Sequence, residues 1–397
     1  MADRPKSLDD VKPRQIFSPI LGLPVDAESN VPATAAEASQ EKPEEDRPEL
    51  TVIIPARNEE LNLPACLSSL LVEDDSFFKL GRDWELLVVD DHSTDRTKEL
   101  ALSVAAGREG MQVLEAPELE LRATQRAFTG KTNACWFGAQ QARGRWLLFT
   151  DADTIHEPGN LVRALHEAKK NDTPLLSYSP RQIVRGFWQR ALMPLVFSEL
   201  ASVYPPAQVN DPSKRLAAAN GQFLLVEREA YFSAGGHRAV GRSVLEDVDL
   251  AYNVKRMVSK SGRGIRLRYA PDAVSARMYR GFSDMLEGWT KNLALLFPHA
   301  LSLAAWRLLD VALILLPLVF LVFPYLLLYQ KGLILLIWAR TLIRFYNRVR
   351  RSNFDFVSCS LSVLALPLFI FLLLRSWMGH KLFHQVVWKG RAYRTGR

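Results

Sequence analysis

The sequence has little cysteine, and what it has is scattered. Its 397 residues include three cysteines, Cys66, Cys135 and Cys359, and their separation does not fit a metal-ligand pattern. Such usage argues against a disulfide framework and favours a reducing compartment. The opening residues, MADRPKSLDD, also lack the apolar core of a secretory signal peptide. We therefore expect most of the chain to stay in the cytoplasm.

Aromatic residues and sustained hydrophobic periodicity are scarce in residues 1–48. The segment is instead rich in Ala, Glu, Pro and Ser, a composition that cannot bury enough apolar surface to order itself. We predict a disordered N-terminal tail over residues 1–48. A docking role for FSPILGLPV (17–25) within it is the alternative.

Charge is absent from two long runs near the other end of the sequence. Residues 311–329 and 356–374 contain no Asp, Glu, Lys or Arg, and each approaches the ~20 residues that cross a bilayer. The net charge of +7 is concentrated beside these runs, at residues 340–351 and 375–397. Basic clusters flanking apolar segments are typical of contact with anionic lipid. The expected partner is a membrane and not a nucleic acid.

The segment between the two runs is harder to interpret. LILLIWA (333–339) is half a span, and after it Arg340, Arg344, Arg348 and Arg351 fall on one face of a helix. This pattern is typical of an interfacial amphipathic helix. We predict a membrane region over residues 301–376, with two or three hydrophobic helices plus this one, and a basic tail over 377–397. The protein would then be multi-pass in the cytoplasmic membrane, with the number of crossings left open because the positive-inside rule cannot place both basic clusters unless one segment is re-entrant.

Short apolar strands alternate with helices from residue 50 onward. LTVIIPA, WELLVVDD and the run at 146–150 are too apolar to face water, which predicts an α/β domain with a mostly parallel sheet covered on both sides. Ligands bind beyond the carboxyl ends of such strands. The polar clusters ARNEE, DDHSTD and DADT lie there. A later apolar helix, residues 187–206, is either a core helix or a surface beside a lipid acceptor.

Two acids one residue apart, Asp151 and Asp153, end the third of these strands. Two such carboxylates repel each other unless they share a cation. Together they can hold Mg²⁺ or Mn²⁺ while substrate phosphates supply further oxygens; solvated loop acids are the alternative. Asp90 and Asp91 could accept hydrogen bonds from a base or ribose, and Lys131 is either a phosphate ligand or a surface lysine.

These motifs together resemble glycosyltransferase family 2. The segments that carry the resemblance, in chain order, are IIPARNEE, LLVVDDHSTDRT, FTGKTNAC, LLFTDADT, GQFLLVEREAYFSAGGH and VLEDVDLAYNVKR. The similarity covers residues 50–295. With RMYRGFSDMLEGWTKNL (277–293) and WKGRAY (388–393), the chain is most similar to the membrane-associated branch that includes carotenoid-acid and hopanoid-associated glycosyltransferases.

The resemblance implies a GT-A fold, with a catalytic domain over residues 49–300, and it assigns roles to particular residues. Asp151 and Asp153 match the metal motif, and Asp247 matches the general base of an inverting transfer from a nucleotide-diphosphate sugar, expected to be UDP-linked. The remaining candidate substrate-binding residues are Pro55, Ala56, Arg57, Glu59, Asp90, Asp91, Lys131, Asp151, Glu246, Trp388 and Arg391. The implied acceptor is a lipid.

Other interpretations stay open. Processive synthases of the family carry Q-x-x-R-W, whereas this chain has QVVWKGR at 385–391. That difference disfavours a polysaccharide synthase, and a polysaccharide or polyprenyl-phosphate glycosyltransferase is the alternative. Arg277 or Arg280 could meet phosphate. The purely structural interpretation of LEDVDLAYNVKR is a helix with acids in its first turn, stabilised by the helix dipole. A further alternative is that the chain is an inactive membrane scaffold.

Overall fold

The structure, a computed structural model, describes residues 47–119, 128–388 and 391–394. The predicted disordered tail lies outside the described residues except for residues 47 and 48. The strands, numbered in chain order, are β1 (Leu50–Ala56), β2 (Trp84–Asp90), β3 (Met111–Glu115), β4 (Trp146–Phe149), β5 (Thr154–His156), β6 (Leu175–Ser179), β7 (Arg181–Gln182), β8 (Leu224–Glu227), β9 (Arg266–Tyr269), β10 (Val274–Ala276), β11 (Gln385–Trp388) and β12 (Arg391–Arg394).

Seven of these strands form the central sheet, in the order β3-β2-β1-β4-β8-β6-β9. Strands β3, β2, β1 and β4 are parallel, and β8 runs antiparallel to both of its neighbours. Three short strands form a second sheet, β5-β10-β7, and β11 pairs with β12 in a hairpin. The α/β class with a mostly parallel sheet, predicted from the alternation of strands and helices, is confirmed.

Helices cover the sheet and continue beyond it. They are α1 (Leu63–Leu71), α2 (Thr97–Ala105), α3 (Gly130–Gln141), α4 (Asn160–Lys170), α5 (Phe187–Val203), α6 (Pro206–Val209), α7 (Arg228–Ser233), α8 (Gly236–Ala239), α9 (Glu246–Val258), α10 (Phe282–Leu296), α11 (Ala300–Val322), α12 (Leu328–Val349), α13 (Phe356–Leu361) and α14 (Leu366–Lys381). Single 3₁₀ turns follow α9 and α12 and join α13 to α14.

The central sheet is buried on both faces. Val52 and Ile54 of β1 point into a core that α1 and α4 cover, whereas Ile53 points to the opposite core, under α3 and α9. Successive strand residues alternate between faces, so burial on both sides requires the continuous apolar runs seen in the sequence.

A third core, separate from these two, is formed by α5 together with the five consecutive helices from α10 through α14. We call these six helices the helical module. Ala191, Leu192 and Val196 of α5 are fully buried in it. The core-helix interpretation of residues 187–206 therefore fits the structure. Two helical segments, Ala300–Val322 and Phe356–Lys381, are long and apolar enough to cross a membrane, which is weak evidence for membrane association.

The region between those two segments differs from the prediction. α12 is one continuous helix, so the half-span and the arginine-rich helix are a single element. Phe345 and Val349 are buried, and Arg340 and Arg344 are exposed, as the helical face predicted. Arg348 instead turns inward, because the carboxylates of Glu199 and Asp310 on neighbouring helices pair with it. The C-terminal segment also differs, since α14 continues past residue 377 to Lys381 and the β11–β12 hairpin follows.

Candidate active site

The loops after β1 and β2 lie side by side at the carboxyl edge of the sheet. The parallel register pairs Ala56 with Asp90, and the carbonyl of Ala56 accepts a hydrogen bond from the amide of Asp91 (2.8 Å). The Arg57 guanidinium donates to the carbonyl of Asp91 (2.6 Å) and lies 3.7 Å from its carboxylate. The predicted residues of the first two loops are thus brought together by strand pairing.

Side-chain hydrogen bonds hold these two loops in an uncommon backbone conformation. Asn58 and His92 both have left-handed backbone angles, with φ of 53° and 55°, which are uncommon outside glycine. The Asn58 side-chain oxygen accepts from the Thr94 amide (2.8 Å), and the Glu59 amide donates to the Thr97 hydroxyl (2.7 Å). Glu59 is therefore placed where it stabilises the loop.

Arg280 has a structural partner in the same loop. Its guanidinium donates to the side-chain oxygen of Asn62 (2.9 Å) and to the carbonyl of Leu61 (2.6 Å). The Asn62 amide in turn donates to the Glu59 carboxylate (2.7 Å). Through these contacts Arg280 braces the loop after β1. The sequence alone had allowed a phosphate contact for Arg277 or Arg280.

The Asp90 carboxylate is buried, and among the described residues only one of its two oxygens accepts a hydrogen bond. Its Oδ2 accepts from the Ser93 amide (3.1 Å). Its Oδ1 is buried and has no hydrogen-bond donor among the described residues. A buried carboxylate oxygen without a donor is costly, so Asp90 suits a ligand that brings its own N–H or O–H.

Lys131 joins two carboxylates that are far apart in the sequence. Thr129 caps α3 and donates its amide to the carbonyl of Gly241 (2.7 Å), which places the start of α3 beside the start of α9. The Lys131 Nζ then lies 2.8 Å from Asp151 Oδ1 and 2.9 Å from Glu246 Oε1. The predicted phosphate ligand is therefore an ion-pairing centre of the site.

The charges at this point shift one another's pKa. Burial tends to raise the pKa of Glu246, but the Lys131 and Lys291 ammonium groups outweigh it and the pKa is lowered. For Lys131, burial opposes a rise that Asp151 and Glu246 impose, and its pKa lies well above the usual value. At neutral pH Glu246 is therefore ionised and Lys131 is charged.

Asp247, the next residue, has the opposite shift. Burial, reinforced by the neighbouring Glu246 charge, raises its pKa to about 6. Its Oδ2 accepts from the Gly221 amide and its Oδ1 from the Val248 amide, each at 2.8 Å. A carboxylate with a pKa close to neutral, held by two backbone donors, is suited to accept a proton.

The antiparallel pairing of β8 with β4 explains why Gly221 is here. Phe149 pairs with Leu224, so the residues before β8 lie opposite those after β4. The Thr150 hydroxyl donates to the carbonyl of Gln222 (2.8 Å). A Cβ on Gly221 would lie 3.1 Å from Lys131 Nζ and 3.5 Å from Asp247 Oδ2. The absence of a side chain lets both charged groups approach this backbone.

Asp151 and Asp153 present carboxylates at the same edge. The Gln222 side-chain amide lies 3.5 Å from both Asp153 carboxylate oxygens, and the Asp153 carbonyl accepts from the Arg277 amide (3.0 Å). Among the described residues, no cluster of three or more His, Cys, Asp or Glu side chains is arranged to hold a metal. Two carboxylates fit a divalent cation whose other ligands are water and substrate oxygens.

Several of these residues line one pocket, with Asp151, Lys131, Glu246 and Asp247 converging on it. The lining is Pro55, Lys131, Cys135, Phe149, Thr150, Asp151, Gly221, Leu224, His237, Glu246 and Asp247. Trp388 and Arg391 lie elsewhere, paired with each other next to the turn of the β11–β12 hairpin.

Three residues of the site had not been singled out from the sequence. Gly221 and His237 lie within a motif that was used only for resemblance, and Lys291 lies in α10. The Lys291 charge acts on Glu246, Asp247 and Asp151, and burial lowers its pKa despite them. The available signal for Lys291 is its place in RMYRGFSDMLEGWTKNL (277–293), a segment that the sequence analysis uses only for resemblance.

Comparison with known proteins gives one family match. Residues 51–233 match the profile described as glycosyl transferase family 2. The match confirms the family resemblance that the motifs indicated. It ends before Glu246 and Asp247.

Two relatives are each named 4,4'-diaponeurosporenoate glycosyltransferase. The Staphylococcus aureus protein is 28% identical over 255 residues, which are 62% of this chain and 60% of the relative. The Staphylococcus haemolyticus protein is 28% identical over 257 residues, 62% of this chain and 61% of the relative. The chain thus spans about three-fifths of the length of the curated relatives it matches.

Among solved structures, similarity extends to a mannosyltransferase from Pyrobaculum calidifontis in complex with GDP-Man and Mn²⁺. The TM-score is 0.48 at 18% identity, and the alignment covers 84% of this chain and 87% of that one.

Proposed function

We propose, starting from the match of residues 51–233 to the glycosyl transferase family 2 profile, that the chain transfers a sugar from a nucleotide-diphosphate donor to a lipid-type acceptor at the membrane, with inversion. The observation that carries the proposal is the convergence of Asp151, Lys131, Glu246 and Asp247 on one pocket. The enzyme would lie at the cytoplasmic membrane, with its catalytic domain in the cytoplasm.

The loops after β1 and β2 are proposed to bind the nucleoside of a UDP-sugar. Asp90 Oδ1 is buried and lacks a donor among the described residues, and a base or ribose can supply one. Arg57, held against Asp91, stabilises the loop that would face the nucleotide. The two loops are tied to each other before any ligand arrives, which lowers the entropy cost of binding.

Asp247 is proposed as the general base. Its carboxylate takes the proton from an acceptor hydroxyl while that oxygen bonds to the anomeric carbon. The bond from this carbon to the donor diphosphate breaks, and its electron pair leaves with the diphosphate. One base on the face opposite the leaving group gives inversion. With a pKa of about 6, Asp247 is ionised at neutral pH and more basic than an ordinary aspartate.

Asp151 and Asp153 are proposed to hold Mg²⁺ or Mn²⁺, which when bound supplies Lewis-acid neutralisation of the diphosphate charge. Lys131 contributes to the same end, because its ammonium group lies beside Asp151 (2.8 Å) and a compact point charge is suited to phosphate oxygens. Removing divalent cations with a chelator should stop transfer, and adding Mn²⁺ should restore it.

The lipid acceptor is supported by two observations. The relatives at 28% identity are named for 4,4'-diaponeurosporenoate, whose name ending denotes a carboxylate, and the helical module exposes apolar helices beside the catalytic domain. If the acceptor group is a carboxylate, it attacks without losing a proton, and Asp247 would matter less. Acceptor chemistry therefore decides how strongly activity depends on Asp247.

The test is mass spectrometry of lipids from cells with and without the gene, followed by transfer assays on membranes. We expect a lipid heavier by one sugar only when the gene is present. A sugar polymer or a glycosylated polyprenyl phosphate would replace the lipid proposal with the polymer-related alternative. If the purified wild type bound no nucleotide sugar in calorimetry with Mn²⁺, the inactive-scaffold interpretation would take its place.

A further inference from the structure

Four charged side chains join the base of α11, the end of α12 and α5. Arg307 Nη1 lies 3.2 Å from Glu199 Oε1 and 2.9 Å from Asp310 Oδ2, and Arg348 Nη2 lies 2.8 Å from the same Asp310 oxygen. Arg348 also reaches Glu199 at 3.4 Å. We call these four residues the base cluster. Arg307 of α11 and Arg348 of α12 both pair with Glu199 of α5. The end of α12 therefore lies beside the first turns of α11, and the two helices form a hairpin.

Away from the base cluster, α11 and α12 expose apolar side chains. Val322, Tyr325 and Leu328, at the turn between them, are 81%, 87% and 87% exposed. Most of the large apolar side chains of α11 are also exposed along its length. Monomeric soluble proteins do not present apolar surface of this extent to water. This surface needs an apolar partner.

Basic side chains lie on the exposed face of α12 nearer to the base cluster. Arg340 and Arg344 are exposed there, and Arg350 and Arg351 continue the face in the 3₁₀ turn that follows. We call these four the basic collar. An apolar end with a basic collar below it matches hydrocarbon beneath anionic headgroups.

Although α11 as a whole is long enough to cross a bilayer, the part of the hairpin beyond the charged base cluster is too short to do so. Between Lys331 and Arg340 the uncharged part of α12 rises ~12 Å, and α11 rises ~18 Å from Asp310 to Val322 at 1.5 Å per residue, against a hydrocarbon core of ~30 Å. Both lengths match one leaflet. The Lys331 side chain can extend along the hairpin toward the headgroups on the collar side.

The second span-length segment, Phe356–Lys381, is part of the helical module and packs against α5 and α10. Just before it, the Tyr269 hydroxyl of β9 donates to the carbonyl of Asn353 (3.1 Å). Near its end, His380 Nε2 contacts the carbonyl of Lys291 (2.7 Å), and the Ala294 amide donates to the Ser376 hydroxyl (2.9 Å). Because Tyr269 belongs to the catalytic sheet and α10 carries Lys291, whose charge acts on the site, these contacts keep both ends of the segment on the same side of a membrane.

We propose that the α11–α12 hairpin inserts into one leaflet of an anionic bilayer and returns to the side it entered from, with α14 lying along that side. The chain would be monotopic, whereas the sequence had suggested a multi-pass protein. The proposal rests on the membrane location proposed above, and it adds the occupant of the exposed hairpin and the depth of insertion.

Labelling with a membrane-impermeant maleimide tests the depth. The three native cysteines are buried, so single reporters Tyr325→Cys, Phe383→Cys and, as a control in the catalytic domain, Lys170→Cys can be compared in spheroplasts and inside-out vesicles. We expect Lys170→Cys and Phe383→Cys to react only in inside-out vesicles, and Tyr325→Cys to react only after detergent is added. Reaction of Tyr325→Cys or Phe383→Cys in spheroplasts would overturn the proposal.

Vesicle flotation tests the headgroup contact. Replacing Arg340, Arg344 and Arg351 by Gln should reduce flotation of the purified chain with phosphatidylcholine–phosphatidylglycerol vesicles by at least about tenfold. Replacing the exposed Lys170, Lys214 and Lys260 by Gln removes the same charge elsewhere and should change it little. Equal loss in both variants, or disulfide cross-linking of Tyr325→Cys between two chains, would count against a lipid leaflet as the occupant.

Measuring nucleotide-sugar binding alongside vesicle flotation distinguishes failure of this inference from failure of the proposed function. A collar variant that binds donor normally in detergent but fails to float leaves both proposals standing. A wild type that floats without binding donor contradicts the function alone. A wild type that binds donor but does not associate with anionic vesicles contradicts the hairpin proposal alone.

Discussion

Lys131 shows how one side chain can organise a site. Its ammonium nitrogen lies 2.8 Å from Asp151 and 2.9 Å from Glu246, and without it two carboxylates would face each other at short range. Like charges at such distances disfavour ionisation of both. Lys131 thus neutralises part of the negative charge of Asp151 and Asp153 at the end of β4. The divalent cation proposed above would neutralise the rest.

Replacing Lys131 by Met should weaken donor binding by about tenfold or more, the scale of losing a charge-assisted contact. The variant should also lose stability, because Glu246 is left buried beside Asp151 without its cation. Calorimetry with a UDP-sugar and thermal unfolding measure the two effects. Adding Glu246→Gln should recover part of the stability, and no recovery would show that the pair contributes little.

Replacing Asp247 by Asn should leave donor affinity nearly unchanged and reduce transfer to a hydroxyl acceptor by roughly 10²- to 10⁴-fold. Asn keeps the shape, and its single oxygen can still accept from one of the two backbone amides, but it cannot take a proton. Matched measurements of donor binding and turnover on membranes decide the point. Normal turnover with a hydroxyl acceptor would refute the base assignment.

The pH profile provides an independent check on the same residue. The raised pKa of about 6 means that protonation of Asp247 removes the base as pH falls through 6. Its charged or titratable neighbours are Glu246, Lys131, Lys291 and Tyr204. We expect kcat/KM to be level above about pH 7 and to fall tenfold per pH unit well below 6. Asp247→Asn should flatten this limb.

At the level of elements, the site is built by pairing across chain distance. The β4–β8 register brings Gly221 opposite the end of β4, and the contact of Thr129 with Gly241 brings α3 to α9. Each element contributes one or two groups, so no local segment contains the site. A small change in the backbone at one of these junctions should therefore alter chemistry more than folding.

Gly221→Ala tests this at one junction. The new Cβ would meet the flexible end of Lys131 at 3.1 Å and the Asp247 carboxylate at 3.5 Å. Lys131 can move aside, so the melting temperature should fall by only a few degrees. Transfer should fall by about tenfold or more, since misplacement of charged groups is costly for catalysis. A large loss of melting temperature with full activity would contradict this account.

At the level of the whole molecule, specific polar contacts connect the catalytic domain to the helical module. Tyr269 of β9 reaches Asn353, and Gln189 of α5 donates to the carbonyl of Tyr279 (3.3 Å). Within the module, the base cluster ties α11 and α12 to α5. Arg307 and Glu199 are only 8% and 5% exposed, so this pairing is made in a dry environment.

Glu199→Ala should therefore destabilise the helical module by about 3 kcal/mol or more, because it leaves Arg307 and Arg348 buried with one carboxylate between them. Thermal unfolding in detergent measures the change. Glu99→Ala removes an exposed carboxylate paired with Arg96 and is the matched control. Equal effects would show that burial of the cluster does not matter.

The sequence alone determined the strand pattern, the parallel α/β class and the polar ends of the strands, because apolar runs of that length can be satisfied only inside a covered sheet. It also indicated the family through motifs in a fixed order. These are local properties, which a chain expresses wherever it folds.

Only the tertiary structure decided which groups meet. Lys131 lies between Asp151 and Glu246, Arg348 turns inward to Asp310, and Arg280 braces the loop after β1. Each of these side chains is a flexible cation whose sequence neighbours do not specify a partner. Its position depends on which carboxylates or carbonyls the packed strands and helices bring within reach, and the Coulomb and desolvation energies that choose among them exist only once the chain is folded.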